Sequence, residues 1–390
     1  MGSGEVTIAV DRNIPLASSA FGAMGNVRLL ETTAVTPDAV RDADALVIRS
    51  ETRVGRALLD GSAVRFVGSA TIGTDHCDLP YLRERGIAFS NAPGSNANSV
   101  KEYVLAALLA LGRRGGFALR GRTLGVVGVG NVGSRVAAVG RALGMTVLLN
   151  DPPRARAEGG RDFLPLDALM DADILTLHVP LTREGADATY HLFDARRIGA
   201  MKPGAILINT ARGAVVDTPA LRGALASGHI PAAVIDVWEG EPRIEADLLR
   251  LATLGTSHIA GYSLDGKVNA VGIVRAALCA WHGRSPDWNP AAEIPPAPVP
   301  SVELCAGEPP ERSLERAVSA AYDIELDARN LRAMLDLSAP DRGPHFMGLR
   351  TGYRLRREFA ATRVSLPGNL PELAETLSAV GFPPVAVGRS

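Results

Sequence analysis

Arg212, Glu241 and His258 lie in three segments that each open on an apolar or small-residue run: INTARGAVVD (208–217), VIDVWEGEP (234–242) and GTSHIAGY (255–262). Their side chains form a set with a chemical use. A guanidinium matches a carboxylate as a bidentate fork, so Arg212 suits the acid group of a substrate. An imidazole titrates near neutral pH and can take a proton from a hydroxyl, the role open to His258. A carboxylate beside that ring fixes its tautomer and favours its protonated form, the role open to Glu241. Together they suit removal of a hydroxyl proton from a 2-hydroxy acid while a hydride leaves the same carbon. Taken singly, each has a plainer reading. A loop arginine is usually a solvated charge, a glutamate before proline a surface group, and a lone histidine structural. Their shared position at strand ends of one repeating unit joins them.

A departing hydride needs an acceptor. Gly128, Gly130 and Gly133, with Asn131 and Val132 between them, follow the apolar run 123–127 and open a helix that runs to about Leu143. In such a loop the first glycine permits the tight turn, the second lets a pyrophosphate approach the backbone, and the third lets helix and strand pack closely. The helix N-terminus offers free N–H groups and partial positive charge to the phosphates. Asp151 ends the next strand, 18 residues after Gly133. A carboxylate there accepts hydrogen bonds from ribose hydroxyls and repels a 2′-phosphate, which points to NAD over NADP. Arg154 and Arg156 are the opposing signal, since guanidinium groups pair with a 2′-phosphate. A tight strand–helix turn with no ligand is the plain alternative, but strand, glycines, helix, strand and acid in that order favour a dinucleotide.

These residues must be positioned by elements. Runs at 6–11, 45–50, 66–71 and 87–93 read as strands, with helical stretches at 37–44 and 79–85 between them. That alternation predicts a parallel α/β sheet. Ser99–Leu111 reads as a long buried connecting helix. From Thr123 six further strands alternate with helices, a complete doubly wound (Rossmann) unit. Lys267–Trp281 is an amphipathic helix that could return to the first sheet. Residues 285–300 are crowded with proline and read as a linker. Beyond them lies a small module of α+β character, with helices near 313–322, 327–335 and 371–382 and a strand at 363–367.

The 390 residues exceed one average domain, and 46% hydrophobic with 21% charged residues is ordinary for a globular chain. A net charge of −1 gives no general field for nucleic acid or an anionic membrane, so an anionic substrate must be drawn by local arginines. Cys77, Cys279 and Cys305 are far apart, odd in number and without metal-ligand spacing, which suggests a reducing compartment and no metal site. No secretory pattern opens the sequence, so the cytoplasm is expected.

The order glycine loop, Asp151, Arg212, Glu241-Pro242 and His258 resembles the D-2-hydroxyacid dehydrogenase family over roughly residues 5–285. The segments IRSETRV (48–54), FVGSATIGTDHCD (66–78), SNAPGSNANSVKEYV (90–104), NDPPRAR (150–156), IDVWEGEP (235–242) and TSHIAGYSLDGK (256–267) resemble the branch that oxidises 4-phosphoerythronate on a bacterial route to pyridoxal 5′-phosphate. The resemblance implies a flavodoxin-like, discontinuous substrate domain (1–97 with the return helix 266–285), an NAD domain (98–265), a linker (286–300) and a dimerisation domain (301–390). It implies Arg212, Glu241 and His258 as catalytic, and Ser50, Thr71 and Tyr262 as substrate contacts. Asp236, Gly261, Thr210 and Ala211 join the glycine loop at the NAD site. Arg49, with Ser50 and Thr71, suits a phosphate, although the two hydroxyls have turn capping as a plainer use. Val179 departs from the threonine expected there and offers only its backbone. Two other readings stay open: another family member, acting on 3-phosphoglycerate, and a non-catalytic NAD-sensing protein that works through partners.

Overall fold

The computed structural model describes residues 6–368, 370–383 and 386–387. The chain divides into two compact units, Met1–Asn96 with Tyr262–Pro296, and Ala97–Gly261 with Ala297–Ser390.

In the first unit five parallel strands, β1 (Val6–Asp11), β2 (Gly25–Leu30), β3 (Ala45–Ile48), β4 (Phe66–Ser69) and β5 (Ala88–Ser90), lie in the order β2-β1-β3-β4-β5. β3 and β4 are buried at every residue. Strands covered on both faces need continuous apolar runs, which is why they stand out in the sequence. One face packs Val10, Phe21, Val47 and Phe66 against Val271, Val274 and Leu278 of the Leu264–His282 helix. The other packs Leu46, Ile48 and Val67 against Leu59, Tyr81 and Leu82. Gly68 permits the close helix contact, since a Cβ there would stand 2.4 Å from Val274 Cγ1. β2 is absent from the sequence reading. It is a half-buried edge strand with Asn26 and Arg28 in it, so it lacks the apolar run of its neighbours.

The second unit holds β6 (Thr123–Val127), β7 (Thr146–Asn150), β8 (Ile174–Leu177), β9 (Ile206–Asn209), β10 (Ala232–Ile235) and β11 (Leu254–Gly255), all parallel, in the order β11-β10-β9-β8-β6-β7. From β6 the chain goes outward to β7, then crosses back to β8 on the other side. Ligands bind outside the carboxyl ends of strands at such a reversal. The glycine loop follows β6 and His178 follows β8, so both stand at that point.

Residues after Ala297 add β12 (Ser301–Glu303), β13 (Arg363–Leu366) and β14 (Ala386–Val387) in a small parallel sheet, with helices Pro310–Ala321, Ile324–Arg332, Ala339–Thr351 and Pro371–Val380. The Ala339–Thr351 helix has no counterpart in the sequence reading; Pro344 lies inside it. This region falls in the same compact unit as Ala97–Gly261, and buried polar contacts show why. In the Ala97–Gly115 helix, Ser99 Oγ donates to Glu358 Oε1 at 2.8 Å, and Lys101 Nζ to the Val380 carbonyl at 2.6 Å. Glu102 Oε1 accepts from the Phe359 N–H at 2.8 Å. Those side chains require the C-terminal segment, because a buried polar group without a partner costs about 1–3 kcal/mol.

Candidate active site

The glycine loop has a separate physical demand at each glycine. Gly128 has φ +84°, and a Cβ there would meet the His178 carbonyl carbon and Val179 Cγ1 at 2.8 Å. At Gly133 a Cβ would lie 1.9 Å from the Gly128 oxygen. At Gly130 a Cβ would meet nothing within 4 Å. The first and third glycines are thus needed by the fold, while the second keeps an open space beside the backbone. No side chain caps the Asn131–Ala142 helix that follows, so its first N–H groups remain for a ligand. Asp151 accepts from the Val129 N–H at 2.8 Å and caps the next helix through the Arg154 N–H at 3.0 Å. Each oxygen keeps a further acceptor position, enough for ribose hydroxyls. Arg154 is held by Glu158 at 2.7 Å and by the Val129 carbonyl at 2.6 Å, and Arg156 by Asp187. Both guanidinium groups are engaged, which weakens the case for a 2′-phosphate. These residues fit NAD. Val179 packs its side chain on the core beside Gly128, so it offers no side-chain hydrogen bond.

Arg212, Glu241 and His258 follow the carboxyl ends of β9, β10 and β11. Asn209, buried at the end of β9, shapes the Arg212 turn. Its Oδ1 accepts from Ala211 N at 3.0 Å and its Nδ2 donates to the Arg212 carbonyl at 3.1 Å. Arg212 Nη1 donates to the Ala211 carbonyl at 2.8 Å. Gly213 lets this turn reach the next loop, since a Cβ would lie 2.0 Å from the Trp238 carbonyl carbon.

Glu241 is fixed on both oxygens. Oε1 accepts from the Trp238 N–H at 2.6 Å and Oε2 pairs with His258 Nδ1 at 2.8 Å. Burial works to raise its carboxyl. The charge and hydrogen bond of His258, the Trp238 N–H and the charge of Arg350 outweigh that and hold it below the ordinary carboxylate range. An ionised carboxylate only accepts, so Nδ1 carries a proton and Nε2 of the neutral ring is left as the basic nitrogen. The His258 side chain is 33% exposed, enough for a reactant to reach it.

His258 has φ +57°, a left-handed conformation costly for a residue with a Cβ. Asp236 holds it there. The Asp236 carbonyl accepts from His258 N at 2.8 Å, and its carboxylate accepts from Ile259 N at 2.8 Å and Ala260 N at 3.0 Å. Thr256 Oγ1 donates to the same carboxylate at 2.6 Å and accepts from Tyr103 OH at 2.7 Å. Burial pushes the Asp236 carboxyl up, against these bonds and the His258 charge. Asp236, expected at the NAD site, therefore spends most of its acceptors on its own chain.

Sequence reading missed Asn209, Thr256 and Tyr103, and it also missed Arg356. The buried Arg356 guanidinium donates to the Ala260 carbonyl at 3.1 Å and the Ser99 carbonyl at 2.7 Å, and stacks 3.7 Å from the Tyr322 ring centroid. It thus clasps the loop that carries His258. No local spacing marks it, because its partners lie 96 and 257 positions away. His178 was also missed: it contacts the hydroxyls of Thr176 at 2.9 Å and Thr210 at 3.1 Å. Burial pushes its pKa down to about 3, so it stays neutral.

The residues expected at a substrate phosphate lie in the first unit. Arg49 and Ser50 follow β3, and Thr71 follows β4. Thr71 Oγ1 contacts Ser69 Oγ at 2.7 Å and donates to the Gly73 carbonyl at 3.2 Å, and Ser69 Oγ contacts His76 Nε2 at 2.9 Å. Tyr262 precedes the Leu264–His282 helix. Gly261 ends the second unit's stretch of chain. Among the described residues no group of three His, Cys, Asp or Glu side chains could hold a metal ion, and no helix is long and apolar enough to cross a membrane.

The family model of the D-isomer specific 2-hydroxyacid dehydrogenase, NAD binding domain, matches residues 101–260. A domain of unknown function matches residues 294–381. An erythronate-4-phosphate dehydrogenase of Chromohalobacter salexigens is 47% identical over 384 residues, covering 96% of this chain and 98% of the relative. One of Salinibacter ruber is 48% identical over 359 residues, covering 90% and 92%. Among solved structures, a D-lactate dehydrogenase from Aquifex aeolicus, complexed with NAD and lactic acid, is similar at a TM-score of 0.58 and 27% identity. That likeness covers 71% of this chain and 96% of the other.

Proposed function

Because the chain belongs to the family of the erythronate-4-phosphate dehydrogenases, within the D-isomer specific 2-hydroxyacid dehydrogenases, we propose that it oxidises 4-phospho-D-erythronate to 3-hydroxy-2-oxo-4-phosphooxybutanoate with NAD. The observation that carries this is the doubly anchored Glu241, which engages His258 Nδ1 and leaves Nε2 as the basic nitrogen. Held at the glycine loop, NAD would supply the acceptor for the hydride that leaves C2. His258 Nε2 takes the proton of the C2 hydroxyl, and the growing charge on the ring is met by Glu241 at 2.8 Å. Arg212 pairs with the C1 carboxylate and fixes which face of C2 is presented. The glycine loop holds the pyrophosphate, Asp151 the ribose hydroxyls, and Thr210, Ala211, Asp236 and Gly261 the remaining NAD contacts. The phosphate of the substrate falls to Arg49, Ser50 and Thr71, with Tyr262 as a further contact.

A substrate screen with NAD tests this reading. Reduction of NAD is expected with 4-phospho-D-erythronate and not with 3-phosphoglycerate. Turnover of 3-phosphoglycerate without that of 4-phospho-D-erythronate would sink it. An NAD-sensing role without catalysis predicts no turnover of either acid. The reaction belongs to a route to pyridoxal 5′-phosphate, and the free thiols of Cys77, Cys279 and Cys305 support a reducing compartment such as the cytoplasm. The reading of residues 1–97 with 266–285 as one domain draws support from the division of the chain after Asn96 and Gly261, whereas the proposed domain 301–390 shares a compact unit with residues 97–261. A homodimer through residues 301–390 follows from the resemblance, and light scattering measures it.

A further inference from the structure

Two cations of the first unit, Lys267 and Arg49, have little to balance them. Lys267, in the first turn of the Leu264–His282 helix, lays its Nζ 4.6 Å from the centroid of the Tyr262 ring. Among the described residues no carboxylate lies within ion-pair distance of that ammonium. Arg49 has a side chain only 18% exposed, with Glu51 at 3.8 Å and the Asn13 carbonyl at 3.5 Å, both at the long limit of useful contact. Burial first, and the Arg49 charge second, push the Lys267 ammonium down to about 8, with Glu51 pulling the other way. The Leu264–His282 helix sets Trp281 against Phe66, with ring centroids 5.7 Å apart, and Val274 against Gly68, so its first turn, with Lys267, lies toward the carboxyl end of β4, where Ser69, Thr71 and His76 cluster and beside which Arg49 follows β3. Partly burying like charges together is unfavourable unless an anion joins them. A phosphate dianion satisfies both cations at once, and the Tyr262 face shields the ammonium while leaving its N–H donors available.

We propose that Lys267 and Arg49 together seat the phosphate of the substrate, with Lys267 the side chain that separates phosphorylated from unphosphorylated acids. This rests on the assignment of a phosphorylated 2-hydroxy acid as substrate. Ser50 and Thr71 then serve as secondary donors, and the contacts of Thr71 with Ser69 Oγ and the Gly73 carbonyl hold its hydroxyl in place.

The full-length chain is tested with K267M and K267R, using inorganic phosphate as the probe in calorimetry and NAD affinity as the check on folding. Phosphate binding is expected to weaken about 10- to 100-fold in K267M, as loss of a charge-assisted contact implies, with K267R recovering part of it. The kcat/KM for 4-phospho-D-erythronate is expected to fall by a similar factor, about 10- to 100-fold, while that for D-erythronate changes less than about 2-fold. Unchanged phosphate affinity in K267M overturns the proposal, as does an equal loss with both acids. If the wild-type chain oxidises neither acid but K267M loses phosphate binding, the substrate assignment fails and the phosphate seat stands.

Discussion

Replacing Glu241 with glutamine keeps the shape of the side chain and removes the charge that faces His258. The amide can still accept from the Trp238 N–H, so the fold is expected to persist while kcat falls about 100-fold, within the range for a disturbed general base. H258A is expected to lose about 10²- to 10⁴-fold with NAD affinity kept. Steady-state kinetics with NAD binding measured separately checks both, and equal activity in H258A would remove it as the base. The carboxyl of Glu241 is held below its ordinary value of 4.5. Its contribution to stability is therefore present above 4.5 and lost as pH falls through the lower folded value. Urea unfolding between pH 5 and 3 should show a steeper loss in the wild-type chain than in E241Q. Arg212, Glu241 and His258 were legible in the sequence because each lies in a distinctive local string. Asn209 and Thr256 were not, because a buried Asn or Thr at a strand end has no spacing that announces its partner.

At the scale of elements, the glycine loop separates support of the fold from support of a ligand. G133A drives a Cβ into the Gly128 oxygen, so it should lower stability by several kcal/mol or prevent folding, as overpacking against backbone does. G130A meets open space at a negative φ of −75° and should fold with stability changed by less than about 1 kcal/mol. Its KM for NAD should nevertheless rise about tenfold or more, because the methyl occupies the space a pyrophosphate needs. Thermal unfolding and NAD titration of the two variants distinguish these effects; normal NAD affinity in G130A would argue against this seat. The strand–glycine–helix order made this element readable in advance. β2 was not, since an edge strand of mixed polarity lacks the apolar period on which strand reading depends.

At the scale of the molecule, the C-terminal segment is joined to the loop that carries His258 through Arg356. R356K keeps a cation but loses the fork to Ala260 and Ser99, so kcat is expected to fall about 10- to 100-fold, with little change in KM for NAD. A purely structural role would lower the melting temperature and leave the kcat of the folded fraction intact, so active-site titration beside calorimetry separates the two. Near the same arginine, burial raises the Glu102 carboxyl to about 8, against the pull of Arg356 and Lys101. A carboxyl raised in this way favours folding most below its ordinary value of 4.5, and that advantage is lost as pH rises through about 8. E102Q, still able to accept from Phe359 N–H, should gain on the wild-type chain in urea midpoint between pH 5 and 9. These long-range pairings were hidden from the sequence because they join positions 96 and 257 residues apart.

The Arg356 clasp also bears on inheritance. Here the C-terminal segment steadies the loop that carries His258, and the likeness to a D-lactate dehydrogenase spans 96% of that chain but 71% of this one. Once a tail has taken over that task, it and the loop cannot drift separately. A change at Ala260 that moves its carbonyl must be answered near Arg356, and a crossover that joins this front half to a tailless gene delivers Arg212, Glu241 and His258 without that brace. Residues 356 and 260 are therefore expected to change together in descent.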